Sequence, residues 1–250
     1  MISIGLVVPF AADIVPDEGP RMYPHIHFVP RGVGVKSLNA AGFNAAVDSI
    51  LPAAEHLARQ GVGAIMVIGT SLTFYRGPDF HAALMEALRT ATGLPVSTMS
   101  QAIVDGLRSV GARRLAVSTA YADEVNDRLK DFLHAEGFEV LALRGFGLHG
   151  FSDPGHKSEQ DIIALSSRAC TAAPEADGLL ISCGGLRTLN VALPLERRHG
   201  IPVVASTQAA FWAALRLVGA TGHLAGFGRM LEQSVAVATP ERRAATTMRP

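Results

Sequence analysis

The chain has 250 residues, 48% of them hydrophobic, enough to bury a core without a disulfide or metal staple. Its 22 basic and 22 acidic residues cancel, with no Lys/Arg block ahead of the tail, which excludes the electrostatic footprint of a nucleic-acid binder. The longest apolar runs, such as Val62 to Ile68, fall well short of the ~20 residues that span a bilayer, so the expected partner is a small molecule, with neither nucleic acid nor membrane involved.

The start, Met-Ile-Ser-Ile-Gly-Leu-Val-Val-Pro, has no basic region and no small-residue cleavage site, so it reads as a buried first strand, Ile2 to Val8, and the cytoplasm is the expected compartment. After it, His25-Ile26-His27 is the one close histidine pair; no carboxylate or cysteine completes a ligand set, so a surface loop and no metal site are expected. Helical periodicity then runs from Phe43 to Arg59, followed by a strand at Ala64 to Ile68 and a helix at Pro78 to Thr90. The alternation continues with a strand at Val96 to Thr98, a helix at Gln101 to Val110, a strand at Leu115 to Ser118 and a helix at Asp123 to Ala135. Next come a strand at Val140 to Leu143, a helix at Glu159 to Ala172, a strand at Gly178 to Ser182 and a helix at Leu189 to Arg198. Val203 to Ala205 and Gln208 to Val218 complete the series as strand and helix. Several helical stretches stop at a glycine, as at Gly61, Gly93, Gly111, Gly137 and Gly200, where a C′ residue needs positive φ.

Short apolar runs alternating with helices predict an α/β fold with mainly parallel sheets. Ser3 to Pro9 and Arg114 to Tyr121 both run from strand to turn, and Gly69-Thr70-Ser71 and Ser182-Cys183-Gly184 both follow a later strand. Two similar halves facing one cleft are therefore expected, with residues 1–93 plus 206–236 forming one and 94–205 the other. The tail, residues 237–250, lacks apolar periodicity and is expected to be disordered.

Two cysteines are too few for a disulfide framework. Cys170 sits in a helical stretch and reads as a packing residue. Cys183 is followed by Gly184 and Gly185, whose backbone N–H groups are free to approach a substrate as an anion nest or oxyanion hole; a helix starting near Leu186 would add its dipole. The alternative is a tight turn around a small buried thiol. Thr70 and Ser71, after Gly69, offer hydroxyl and N–H donors to a carboxylate, or else Ser71 or Thr73 caps a helix. Tyr121 is placed to aim a phenol into the same cleft, and Pro9 either shapes its floor or ends a strand. No GxGxxG, P-loop or nucleophile-elbow motif is present.

Taken together, Val8-Pro9, Gly69-Thr70-Ser71-Leu72-Thr73-Phe74-Tyr75-Arg76-Gly77, Thr119-Ala120-Tyr121 with Val125-Asn126, and Ser182-Cys183-Gly184-Gly185-Leu186 closely resemble the arylmalonate decarboxylase family. That family sits in the aspartate/glutamate racemase superfamily beside the maleate isomerases. The resemblance implies a cofactor-free loss of CO2 from a disubstituted malonate, a small dicarboxylate; separately, a monomer is expected. It implies a dioxyanion hole formed by Thr70, Ser71, Tyr121 and the N–H groups of Ser71, Gly184 and Gly185, with Cys183 as proton donor. It also implies an apolar pocket of Val35, Leu38, Phe43, Phe151 and Pro154. Phe10 departs from the family pattern, which has a second proline there; Phe151 and Pro154 replace aliphatic and methionine side chains.

Racemases and isomerases of the superfamily use two opposed cysteines, and the position equivalent to the first is Gly69. Without a second thiol, removal of a proton on one face and delivery on the other lacks its base. Decarboxylation needs one protonated thiol, so it is the expected reaction; racemase or isomerase activity, or non-catalytic carboxylate binding through the same nest, are the alternatives.

Overall fold

The computed structural model describes residues 2–233. In chain order the elements are β1 (Ser3–Val8), α1 (Glu18–Met22), β2 (His27–Gly32), α2 (Ala40–Val47), α3 (Ile50–Arg59), β3 (Ala64–Val67), α4 (Thr70–Phe74), α5 (Pro78–Thr92), β4 (Val96–Thr98) and α6 (Met99–Ser109). They continue with β5 (Arg114–Tyr121), α7 (Asp123–Ala135), β6 (Glu139–Leu148), α8 (Glu159–Ala172), β7 (Gly178–Ser182), α9 (Ala192–His199), β8 (Val203–Ala205), α10 (Ser206–Leu217) and α11 (Arg229–Glu232). The expected tail at 237–250 lies outside the described residues.

The strands form two four-stranded parallel sheets, ordered β2-β1-β3-β4 and β6-β5-β7-β8. Helices flank both, which makes the fold α/β as expected. The central strands β1, β3, β5 and β7 are mainly apolar and almost wholly buried, as parallel strands covered on both faces must be. Gly61, Gly93, Gly111, Gly137 and Gly200 all hold positive φ, between 65° and 85°, and end their helices as the sequence predicts.

Three expectations need correction. His27 opens a strand: β2 pairs with β1 alone, so as an edge strand it tolerates Pro30 opposite Leu6. The helix expected over Phe43 to Arg59 is two helices broken at Asp48 and Ser49, the first capped by Asn39, whose side chain accepts from the N–H of Gly42. The boundary at residues 93 and 94 also shifts, because β4 pairs with β3 in the first sheet.

Sheet register makes the internal symmetry explicit. Val67 pairs with Val7 and Thr98, while Ile181 pairs with Ser118 and Ala205. Counting onward from these partners, Gly69 is equivalent to Cys183, Thr70 to Gly184, Phe10 to Tyr121 and Met99 to Ser206. In each sheet the order reverses direction beside the first strand of its half, the point at which open α/β sheets bind ligands beyond their strand ends.

Candidate active site

The loops after β1, β3, β5 and β7 converge on a cleft of about 490 Å³. The residues expected at the cleft line it: Pro9, Thr70, Ser71, Tyr121, Cys183, Gly184 and Gly185, with Val35, Leu38, Phe43, Phe151 and Pro154 on the apolar side. The two halves are stitched at this wall by the N–H of Leu38, which donates to the carbonyl of His149 at 2.9 Å, and by a bridge between Ser37 and Gly150. Phe10 and Phe151, one from each half, meet edge to face with ring centroids 5.9 Å apart.

Cys183 follows β7 with φ of 153°, the one positive φ at a non-glycine among the described residues. L side chains avoid such φ, and the strain marks a backbone held in place by its surroundings. The thiol is buried and accepts from the N–H of Gly185 at 3.4 Å. Burial pushes its pKa up to about 11, against smaller opposing help from the Gly185 N–H, Tyr121 and the Leu186 N–H. It is therefore protonated at neutral pH. The helix expected near Leu186 is instead a turn closed by the Leu186 N–H on the Cys183 carbonyl, and α9 begins only at Ala192.

On the facing side, Gly69 has φ of 124° and α4 starts directly at Thr70. Neither Ser71 nor Thr73 caps this helix; Thr73 instead donates back to the carbonyls of Gly69 and Thr70. The Thr70 and Ser71 side chains are thus turned to the cleft region, both buried. Tyr121 ends β5 and is braced from behind: its N–H donates to Thr119 Oγ1, Thr119 donates to Asn126, and the Asn126 amide donates to the Tyr121 carbonyl at 3.1 Å. Its phenol is 1% exposed and finds no hydrogen-bond partner. The hydroxyls of Ser182, Ser71 and Thr70 surround it without closing a bond of good geometry, and burial raises its pKa far above the ordinary phenol value, with the nearby Cys183 adding to the rise.

Three lining or supporting residues were not legible in the sequence. Ser206, in the first turn of α10, links Thr70 to Cys183. Thr207, next to it, donates to the Gly184 carbonyl at 3.4 Å. Glu18 lines the cleft and accepts from the N–H groups of Thr188 and Leu189 at 2.6 and 3.0 Å, tying α1 to the loop that follows Cys183. Desolvation raises the Glu18 pKa to about 7, offset in part by those two N–H groups. Cys170 is buried in α8, away from the cleft lining, as a packing residue. Among the described residues no group of three or more His, Cys, Asp or Glu is placed to hold a metal ion, and no helix is long and apolar enough to cross a membrane.

The family model for arylmalonate decarboxylase matches residues 4–231. Arylmalonate decarboxylase of Bordetella bronchiseptica is 44% identical over 233 residues, spanning 93% of this chain and 97% of that protein. A liganded glycine-to-cysteine, cysteine-to-serine double mutant of arylmalonate decarboxylase superposes with a TM-score of 0.92 at 42% identity, covering 94% of this chain and 100% of the other. Maleate isomerase of Nocardia farcinica is 27% identical over 253 residues, 94% of this chain and 97% of that protein.

Proposed function

Because this chain belongs to the arylmalonate decarboxylase family of carboxy-lyases, we propose that it removes CO2 from an α-aryl malonate and protonates the resulting enediolate from Cys183. The observation that carries this reading is one pairing: a buried phenol with an unspent proton, Tyr121, beside a thiol held in its protonated form, Cys183. Together they suit a reaction that first makes an oxyanion and then consumes a proton.

The retained carboxylate lies against Thr70, Ser71, Tyr121 and the N–H groups of Ser71, Gly184 and Gly185. As the bond from the α-carbon to the departing carboxylate breaks, its electron pair moves into an enediolate whose two oxygens face these donors. Each preorganised donor stabilises that charge by about 2.7–4 kcal/mol in comparable oxyanion holes. No cofactor is required, because the donors themselves take up the electron density. The departing carboxylate faces Val35, Leu38, Phe43, Phe151 and Pro154, where poor solvation favours neutral CO2 over the anion.

The Cys183 proton then passes to the α-carbon, and the thiolate left behind recovers a proton from water. Its raised pKa serves both steps: the resting thiol is a proton store, and the thiolate is a strong base that refills at once. Delivery from one side gives an enantioenriched 2-aryl acid. A two-base racemase or isomerase is disfavoured by Gly69, which stands at the position equivalent to Cys183 and carries no side chain.

Release of CO2 from phenylmalonate and methyl-phenylmalonate tests the reading. The wild type is expected to turn over at least one of them and Cys183→Ala to lose that turnover; an inert wild type on every arylmalonate tried would sink it. A carboxylate-binding protein without catalysis would instead bind phenylmalonate and leave it intact.

A further inference from the structure

Thr70 is expected to donate to the substrate, yet its one hydroxyl proton is already committed. It donates to Ser206 Oγ at 3.0 Å. Ser206 Oγ also accepts from the backbone N–H of Cys183 at 3.3 Å, and its own proton goes to the Ile181 carbonyl at 3.4 Å, the longest of the three contacts. One hydroxyl, 1% exposed, thus joins the donor group at the end of β3 to the thiol residue at the end of β7.

A hydroxyl proton rotates about its C–O bond to suit its surroundings. When Ser206 turns its proton from Ile181 to Thr70 Oγ1, a small turn of its side chain lets the short contact with Thr70 be kept with donor and acceptor reversed. The Thr70 proton is then released to point into the cleft. The change gives up only the longest bond, makes or breaks no covalent bond, and leaves the Cys183 N–H in place on Ser206. An O–H···O–H···O⁻ chain polarises along its length, so an arriving anion favours this arrangement.

We propose that Ser206 is a positioning residue, a hydroxyl switch that turns Thr70 into a donor when a carboxylate or enediolate oxygen enters the cleft. The enediolate half of this statement rests on the decarboxylase reading above. The internal symmetry sharpens it. The equivalents of Ser206 and Thr70 are Met99 and Gly184, and there the Met99 thioether lies 3.0 Å from where a Gly184 Cβ would stand. The switch therefore exists on one side of the cleft only, the side carrying Thr70 and Ser71.

Wild type, Thr70→Val, Ser206→Ala and the double variant are compared by calorimetric titration with phenylacetate and by turnover of phenylmalonate. Loss of one hydrogen bond to a charged oxygen predicts a kcat lower by roughly 10- to 100-fold in Thr70→Val; Ser206→Ala frees the Thr70 proton but removes the hydroxyl that polarises it, so its kcat should fall less, about 2- to 5-fold. Phenylacetate affinity is expected to fall in the same order but by less, about 3- to 10-fold in Thr70→Val and about 2-fold in Ser206→Ala, since a carboxylate is less basic than an enediolate. The double variant should be no worse than Thr70→Val alone, because both act through one proton. Ser206→Thr, which keeps the hydroxyl, should restore wild-type values. A purely structural Ser206 would instead lower the melting temperature with penalties that add to those of Thr70→Val. Wild-type affinity and kcat in Ser206→Ala, or additive losses in the double variant, overturn the proposal. If Ser206→Ala does not fold, Ser206→Cys replaces it with a weak donor, and wild-type values there overturn the proposal equally. A wild type that binds phenylacetate but turns over no arylmalonate removes the decarboxylase reading alone, and the binding cycle still decides the switch.

Discussion

Gly69 and Cys183 are equivalents in the two halves, each placed two residues beyond the strand position paired across its sheet, and each with positive φ, 124° and 153°. The same backbone turn thus carries a thiol in one half and a hydrogen atom in the other.

That equivalence predicts the behaviour of Gly69→Cys. A Cβ at Gly69 would stand 3.2 Å from the Leu72 Cβ and 3.8 Å from the Pro9 Cβ, so the variant fits with a small shift of Leu72 and costs about 1–3 kcal/mol in backbone strain. With thiols on both sides, a single-enantiomer 2-arylpropionate should exchange its α-proton in D2O and lose optical purity, which the wild type should not do. A folded variant with no exchange by NMR would show that position 69 does not face the α-carbon.

Cys183→Ala should lower turnover by about 10²–10⁴-fold, the range of a lost general acid. Activity that needs the protonated thiol holds through neutral pH and falls as pH rises through about 11. Alkylation has the opposite sign, since it needs the thiolate. Iodoacetamide labelling of residue 183, read by peptide mass spectrometry, should be slow at neutral pH and accelerate toward pH 11; fast labelling at neutral pH would contradict a proton-storing thiol.

Tyr121→Phe separates function from stability. The buried phenol has no partner, so its removal relieves an unsatisfied group that costs about 1–3 kcal/mol. The melting temperature should hold or rise while kcat drops by about 10²–10³-fold, the effect of deleting an oxyanion donor. A lower melting temperature with full activity would place the phenol's role in the fold.

Glu18 makes stability depend on pH. Its folded pKa of about 7 lies above the ordinary 4.5, so between these values the folded protein keeps a proton that the unfolded chain has released. The stabilisation is complete below pH 4.5, declines as pH rises, and is gone above about 7, a change of about 3 kcal/mol. In Glu18→Gln this contribution should vanish, so urea unfolding of variant and wild type at pH 4.5 and 8 should differ by that amount between the two pH values. Parallel pH profiles would show that Glu18 ionises like an exposed carboxylate.

The parts of the site that could be read from the sequence are those built from local chemistry. Two glycines after a cysteine announce close backbone approach, and threonine and serine after Gly69 announce donors at a strand end. Ser206 and Glu18 announce nothing, because their partners lie far away in the chain: Ser206 works through Thr70, and Glu18 through backbone N–H groups some 170 positions distant. β2 escaped for a related reason. An edge strand with a proline and an arginine lacks the apolar run of its buried neighbours, and only the pairing with β1 shows what it is.

Helix α10 is buried along nearly its whole length, from Ser206 to Leu215, and packs on α6 and on strands of both sheets. It lies more than a hundred residues after β4, the last strand of the first sheet. During synthesis that sheet is therefore complete in sequence long before the helix that covers it has left the ribosome. Its apolar surface must wait, exposed, until the last part of the chain arrives.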